Sequence, residues 1–165
     1  MILVDLRGAI VATIHARLPA LDCQSHPGRF DLAEIKRIAA KAPAVRVACL
    51  GLPAAGAAGS GERDQEIRFA AFVLTTDKPR LPRDVAAINL VESLLLFLPG
   101  QRWGKPGVHP VAEGQIKAEN LYSSGLDGKG VALWGVNWSQ KVRMGDNAWP
   151  EGPILSDELY AGGEE

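Results

Sequence analysis

The spacing of hydrophobic positions along this chain changes from helical to alternating and back, and each change predicts an element. Leu3, Leu6, Ile10, Ile14 and Leu18 recur at helical spacing, with Ala9 and Thr13 beside them. They predict a helix over residues 3–18, which Pro19 ends. Asp31 and Glu34 stand at capping-box spacing ahead of a second stripe, Leu32, Ile35, Ile38 and Ala39, which Pro43 stops. A third helix is predicted over residues 85–98, with Asp84 as its cap and Pro99-Gly100 as its end. Val85, Ile88, Val91, Leu95 and Leu98 take one side of it, with Leu90, Leu94 and Phe97 beside them. A helix so apolar around its girth is expected to be covered by the sheet and by a further partner, either the first helix or another subunit.

Between the helices the pattern shortens to runs that fit strands. Residues 66–76 are rich in β-branched and aromatic side chains, apolar on both faces, and bounded by Asp64, Asp77, Pro79 and Pro82. They predict a central strand covered on both sides. Residues 44–50 predict another strand, with Val45, Val47 and Cys49 on one face. Residues 131–143 predict the longest. Its Ala132, Trp134, Val136, Trp138 and Val142 face one way, and Gly135, Asn137, Ser139, Lys141 and Arg143 form a polar side. Residues 115–122 can form a strand, and residues 21–30 can hold a short edge strand. Residues 53–61 read as a hairpin tip, and residues 123–130, with Asp127-Gly128, as a hairpin turn. The hairpin links favour antiparallel neighbours. The fold class expected is α+β: a mixed, mostly antiparallel sheet with three helices packed on it, in one domain over residues 1–144, followed by an extended tail over residues 145–165.

Composition narrows the function classes without selecting one. The 47% apolar content supports a core, and the net charge of −1 supplies no basic field for nucleic acid. The longest apolar stretch, residues 85–98, is too short to span a bilayer, and the N-terminus lacks the pattern of a signal peptide. Cys23 and Cys49 make no disulfide framework and are expected to be reduced thiols of a cytoplasmic protein.

The candidate chemistry is sparse. His26 lies in a Ser-His-Pro-Gly turn and His109 in a Gly/Pro-rich loop, and either could serve a small hydrolase or nuclease. No nucleophile motif accompanies them, and His15 reads as an exposed helix histidine. The glycines of residues 53–61 are followed by Glu62-Arg63-Asp64, not by the Lys-Ser/Thr pair of a phosphate loop. No Cys/His pair stands at zinc spacing. No catalytic residue, metal or cofactor is expected.

A resemblance is carried by packing patterns. Phe30-Asp31-Leu32-Ala33-Glu34-Ile35-Lys36-Arg37, Ala42-Pro43-Ala44-Val45-Arg46-Val47-Ala48, Phe69-Ala70-Ala71-Phe72-Val73, the Ala87-Ile88-Asn89-Leu90-Val91-Glu92-Ser93-Leu94-Leu95 helix and Trp134-Gly135-Val136-Asn137-Trp138 follow in order. Over residues 2–144 the chain resembles the tail terminator, or tail completion, proteins of Mu-like phages and prophages. The resemblance implies a tail-terminator-like fold and a non-enzymatic ring, commonly a hexamer. Such a ring caps the tail tube and joins it to the head, with the tube and head-connector proteins as partners. It implies synthesis in the cytoplasm and a final place in the virion tail. Another head-tail joining or tube protein is the nearest alternative.

If the chain forms such a ring, its expected contact surfaces are residues 52–64, the loop over residues 101–114, and the tail after Met144. Arg63, Trp103, His109 and Trp149 are the candidate interface residues within them.

Overall fold

The computed structural model describes residues 1–148. Its framework is a sheet ordered β1-β2-β4-β6-β5: β1 (Asp22–Ser25), β2 (Ala44–Gly51), β4 (Arg63–Thr76), β6 (Val131–Met144) and β5 (Ile116–Asn120), with β3 (Ala55–Ala57) also paired to β4. Among the described residues only β1 and β2 run parallel, joined by the crossover helix α2 (Leu32–Ala39), and every other strand pairing there is antiparallel. The fold is therefore α+β with a mixed, mostly antiparallel sheet. β4 is central, as its two apolar faces predict, and pairs with β6 over its whole length.

Because side chains alternate along a strand, the register sorts them into two faces. On the first, Val47, Ala71, Val136 and Ala118 line up across four strands, as do Cys49, Phe69, Trp138 and Ile116. Helices α1 (Ile2–Arg17) and α3 (Arg83–Phe97) close this face with Leu6, Ile10, Ile14, Val91 and Leu94. The second face carries Ala44, Leu74 and Leu133, buried by Ile35 and Ile38 of α2 and by Leu126 of the short helix α4 (Ser124–Gly128).

Three local expectations are corrected. Asp84 does not cap α3. Pro82 holds that position, and the first helical N–H, on Arg83, donates to the Asp77 carboxylate. A Lys78–Leu81 bridge folds the connection back and brings Asp77 within reach. Residues 123–130 form no simple hairpin turn. Ser123 accepts from the Leu126 N–H and starts α4, because a serine-led run can cap a helical turn as readily as it can reverse a strand. The second face of β6 is not polar throughout: Val131 and Leu133 are buried there by α2 and α4. By contrast, Asp31 caps α2 through the Glu34 N–H, as its spacing predicts.

The loop before β5 is held by its own chain. Residues 101–114, an expected contact surface, are anchored within the chain by Gln140. This side chain sits on the apolar face of β6 and is 2% exposed. Its Oε1 accepts from the indole N–H groups of Trp103 (2.8 Å) and Trp138 (3.2 Å). Its Nε2 donates to the carbonyls of Gln101 and His109. All four bonds of the amide are thus made, as a buried polar group requires. Past the end of β5 the loop takes over as partner of β6. Val108 bridges Val142, the His109 N–H donates to Lys141, and Gly107 accepts from Arg143. The same network holds Trp103 at φ 60°, a left-handed conformation that costs a bulky residue about 1–3 kcal/mol unless its surroundings impose it.

Candidate functional site

A cleft of about 430 Å³ lies where α2 and the turn after β1 meet the second face of the sheet. His26, Arg29, Asp31, Glu34, Arg37 and Arg46 are among its lining residues. The His-Pro-Gly turn forms here because Gly28 adopts φ +93° and lies against β2, where a Cβ would stand 3.1 Å from Leu50 and 3.3 Å from Ala48. That close approach buries the His26 ring, stacked on Phe30 at 4.2 Å between centroids, with Phe30 edge-on to Phe72.

The hydrogen bonds of His26 fix its tautomer. The Gly28 N–H donates to Nδ1 at 2.9 Å, so in the neutral ring the proton is on Nε2 and is donated to Glu34 Oε1 at 3.0 Å. Both nitrogens are engaged within the chain, and Arg37 takes both oxygens of Glu34. The arginine, and secondly the histidine, hold the Glu34 carboxyl below its usual range. Behind them Arg46, 4% exposed, donates to the main-chain carbonyl of Asp22 and to its carboxylate, both at 2.6 Å, and so ties edge strand β1 to β2. That contact holds the Asp22 carboxyl low. As it stands, the histidine is a brace between turn and helix and offers no free nitrogen to a substrate.

The interface candidates fall into different environments. Arg63 is exposed on the long β3–β4 hairpin. His109 is 48% exposed at the same end of the sheet, its Nε2 3.8 Å from Asp64. Asp64 is bound through both oxygens by Arg143, which lowers its pKa. Trp103 is corrected: at 5% exposure, packed against Trp138 and Phe97, it belongs to the core and presents no surface to a neighbour. Trp149 lies outside the described residues, as does the tail prediction from that point on. Gln140, which organises this region, was not among the candidates. Its signal was positional: a glutamine two places from Trp138 and two from Val142, on a face otherwise apolar.

The thiols are unremarkable as nucleophiles. Cys23 and Cys49 are free, and burial pushes the Cys23 thiol up to about 11. Among the described residues no group of His, Cys, Asp or Glu is placed to hold a metal ion, and no helix is long and apolar enough to cross a membrane.

The outer surface of α3 remains open. Val85, Ile88, Leu95 and Leu96 are 42, 51, 38 and 79% exposed, while Ala87, Val91 and Leu94 of the same helix are buried against the sheet. No known family model matches the chain, and no curated protein matches it.

Proposed function

We propose that the chain is a structural protein of a phage or prophage tail, forming a ring, hexameric on the tube, that caps the tail tube and joins it to the head. The observation that carries this reading is the exposed apolar stripe of α3. A helix that leaves four large apolar side chains in solvent while its other side is fully packed suits a surface covered by another subunit. A closed ring needs two different surfaces per subunit. The hairpin of β3 and β4, whose tip spans residues 58–62, supplies a second one, remote from α3 in sequence and distinct from it in chemistry. The braced His26 lends no support to the hydrolase alternative.

The test is imaging with mass measurement. Negative-stain images of tails carrying the protein should show a sixfold ring at the head-proximal end of the tube. Ile88→Asp and Leu96→Asp, both at exposed positions, should abolish the ring and leave circular dichroism unchanged. Protein distributed along the tube would instead mark a tube subunit. Failure of the wild-type protein to associate with tubes, or a ring unaffected by both substitutions, would overturn the reading.

A further inference from the structure

The second face of the sheet is not covered to its far end, where Arg68 and Lys117 are exposed, and that open end carries a site of its own. Beyond the end buried by α2 and α4, a cleft of about 300 Å³ is lined by Leu50, Arg68, Gln115, Lys117, Asn137 and Ser139 among others. Its floor follows from register: Asn137 lies between Ala70 and Lys117, and Ser139 lies opposite Arg68. Three features mark it as unfinished. Asn137 Oδ1 is buried without a hydrogen-bond donor among the described residues, although buried polar atoms are nearly always paired. Arg68 and Lys117 are exposed, and neither forms an ion pair among the described residues. No carboxylate lines the cleft. An occupant that brings negative charge and an N–H or O–H donor would complement it.

The chain contains such a segment. All 18 Lys and Arg precede residue 149, whereas five of the 19 acids follow it, so residues 1–148 carry +4 and residues 149–165 carry −5. The acids Glu151, Asp157 and Glu158 flank Ile154, Leu155 and Leu159, and Leu50 at the cleft is 47% exposed. The distances permit the contact. Ser139 is five positions before Met144 on β6, about 17 Å back along the strand. The described chain ends with the Ala148 N–H donating to Ser60 in the hairpin tip beside β6. Seventeen residues have a contour of about 58 Å, several times the distance along β6 from Met144 to Ser139. Tethering also raises the local concentration of the segment to about the millimolar range, well above that of a second copy in dilute solution.

We propose that residues 149–165 lie across this open end of the second face of their own chain, with carboxylates on Arg68 and Lys117 and a main-chain N–H donated to Asn137 Oδ1. The contact stands independently of the ring.

Paramagnetic broadening in the full-length protein tests it. A spin label is placed at Ser156→Cys in a background where Cys23 and Cys49 are serine, and the amides of Asn137, Ser139 and Lys117 are observed. Their signals should lose more than half their intensity. Arg68→Glu with Lys117→Glu, at exposed positions, should restore them, as should 0.5 M salt in part. A mixture of isotope-labelled chains without the spin label and spin-labelled chains without isotope separates the sources. Broadening confined to the doubly labelled chain supports the proposal. Broadening that appears equally in the mixture assigns the face to a second copy and overturns it. Absence of broadening, or broadening indifferent to charge reversal, also overturns it.

Discussion

The two faces of this sheet are made from alternate residues of the same strands, yet they behave as different surfaces. On the first, Phe69 and Trp138 stand side by side beneath two helices, with even the buried amide of Gln140 fully bonded. On the second, the buried row Ala44, Leu74, Leu133 is followed by the small buried side chains of Ala48 and Ala70, and the face then gives way to Arg68, Asn137 and Lys117. The second face has only the eight-residue α2 and the five-residue α4 on it, against 16 and 15 residues in α1 and α3. The difference teaches that stability can be concentrated on one side of a sheet, leaving the other side available for contacts that are made and released.

The sharpest way to break this comparison is to truncate an aromatic on each face. Phe69 is fully buried, and Phe69→Ala should lower the free energy of unfolding by about 3–5 kcal/mol. Phe72, three residues on but partly exposed beside Phe30, should cost only about 1–2 kcal/mol on the same change. Urea titration of both variants checks this, and equal losses would mean the faces are equivalent.

Gln140→Leu comes next. It leaves two indole N–H groups and the His109 carbonyl without a partner, whereas the Gln101 carbonyl keeps the Val111 N–H, and it should cost about 3 kcal/mol or more. Hydrogen exchange should locate the damage, with faster exchange at His109 and Arg143, whose amides pair the loop with β6. Unchanged exchange there would show that the loop is ordered by something else.

On the second face, loss of the Asp31 cap from α2 in Asp31→Ala should cost about 1 kcal/mol. This face should also be the acid-sensitive one. The Asp22 and Glu34 carboxyls are held below their usual range, chiefly by Arg46 and Arg37 respectively. Groups lowered in the folded state add stability above their unfolded pKa, and that stability is lost as pH falls through the folded value. Stability followed by thermal melts should therefore be level down to about pH 5, where both carboxyls are ionised in either state, and should decline below about pH 4. Asp22→Asn should flatten part of that decline. The smallest effect is expected at the exposed hairpin, where Arg63→Ala should stay within about 0.5 kcal/mol.

Much of the fold is legible in the chain because local patterns and tertiary demands agree. Helical spacing of Leu6, Ile10 and Ile14, the Asp31–Glu34 cap, and the two-sided apolar run of β4 each name an element and its orientation before any neighbour is known. What only the tertiary structure decided are the pairings between residues remote in sequence. Gln140 reads as a misplaced polar residue until Trp103, 37 positions earlier, brings it a donor. Trp103 reads as a surface aromatic in a Gly/Pro loop until that same bond draws it inward. His26 is a histidine of undecided role in a turn until Gly28 and Glu34 take both its nitrogens. Hydrophobic spacing is a property of one segment, whereas the satisfaction of a buried polar group depends on what the fold places beside it.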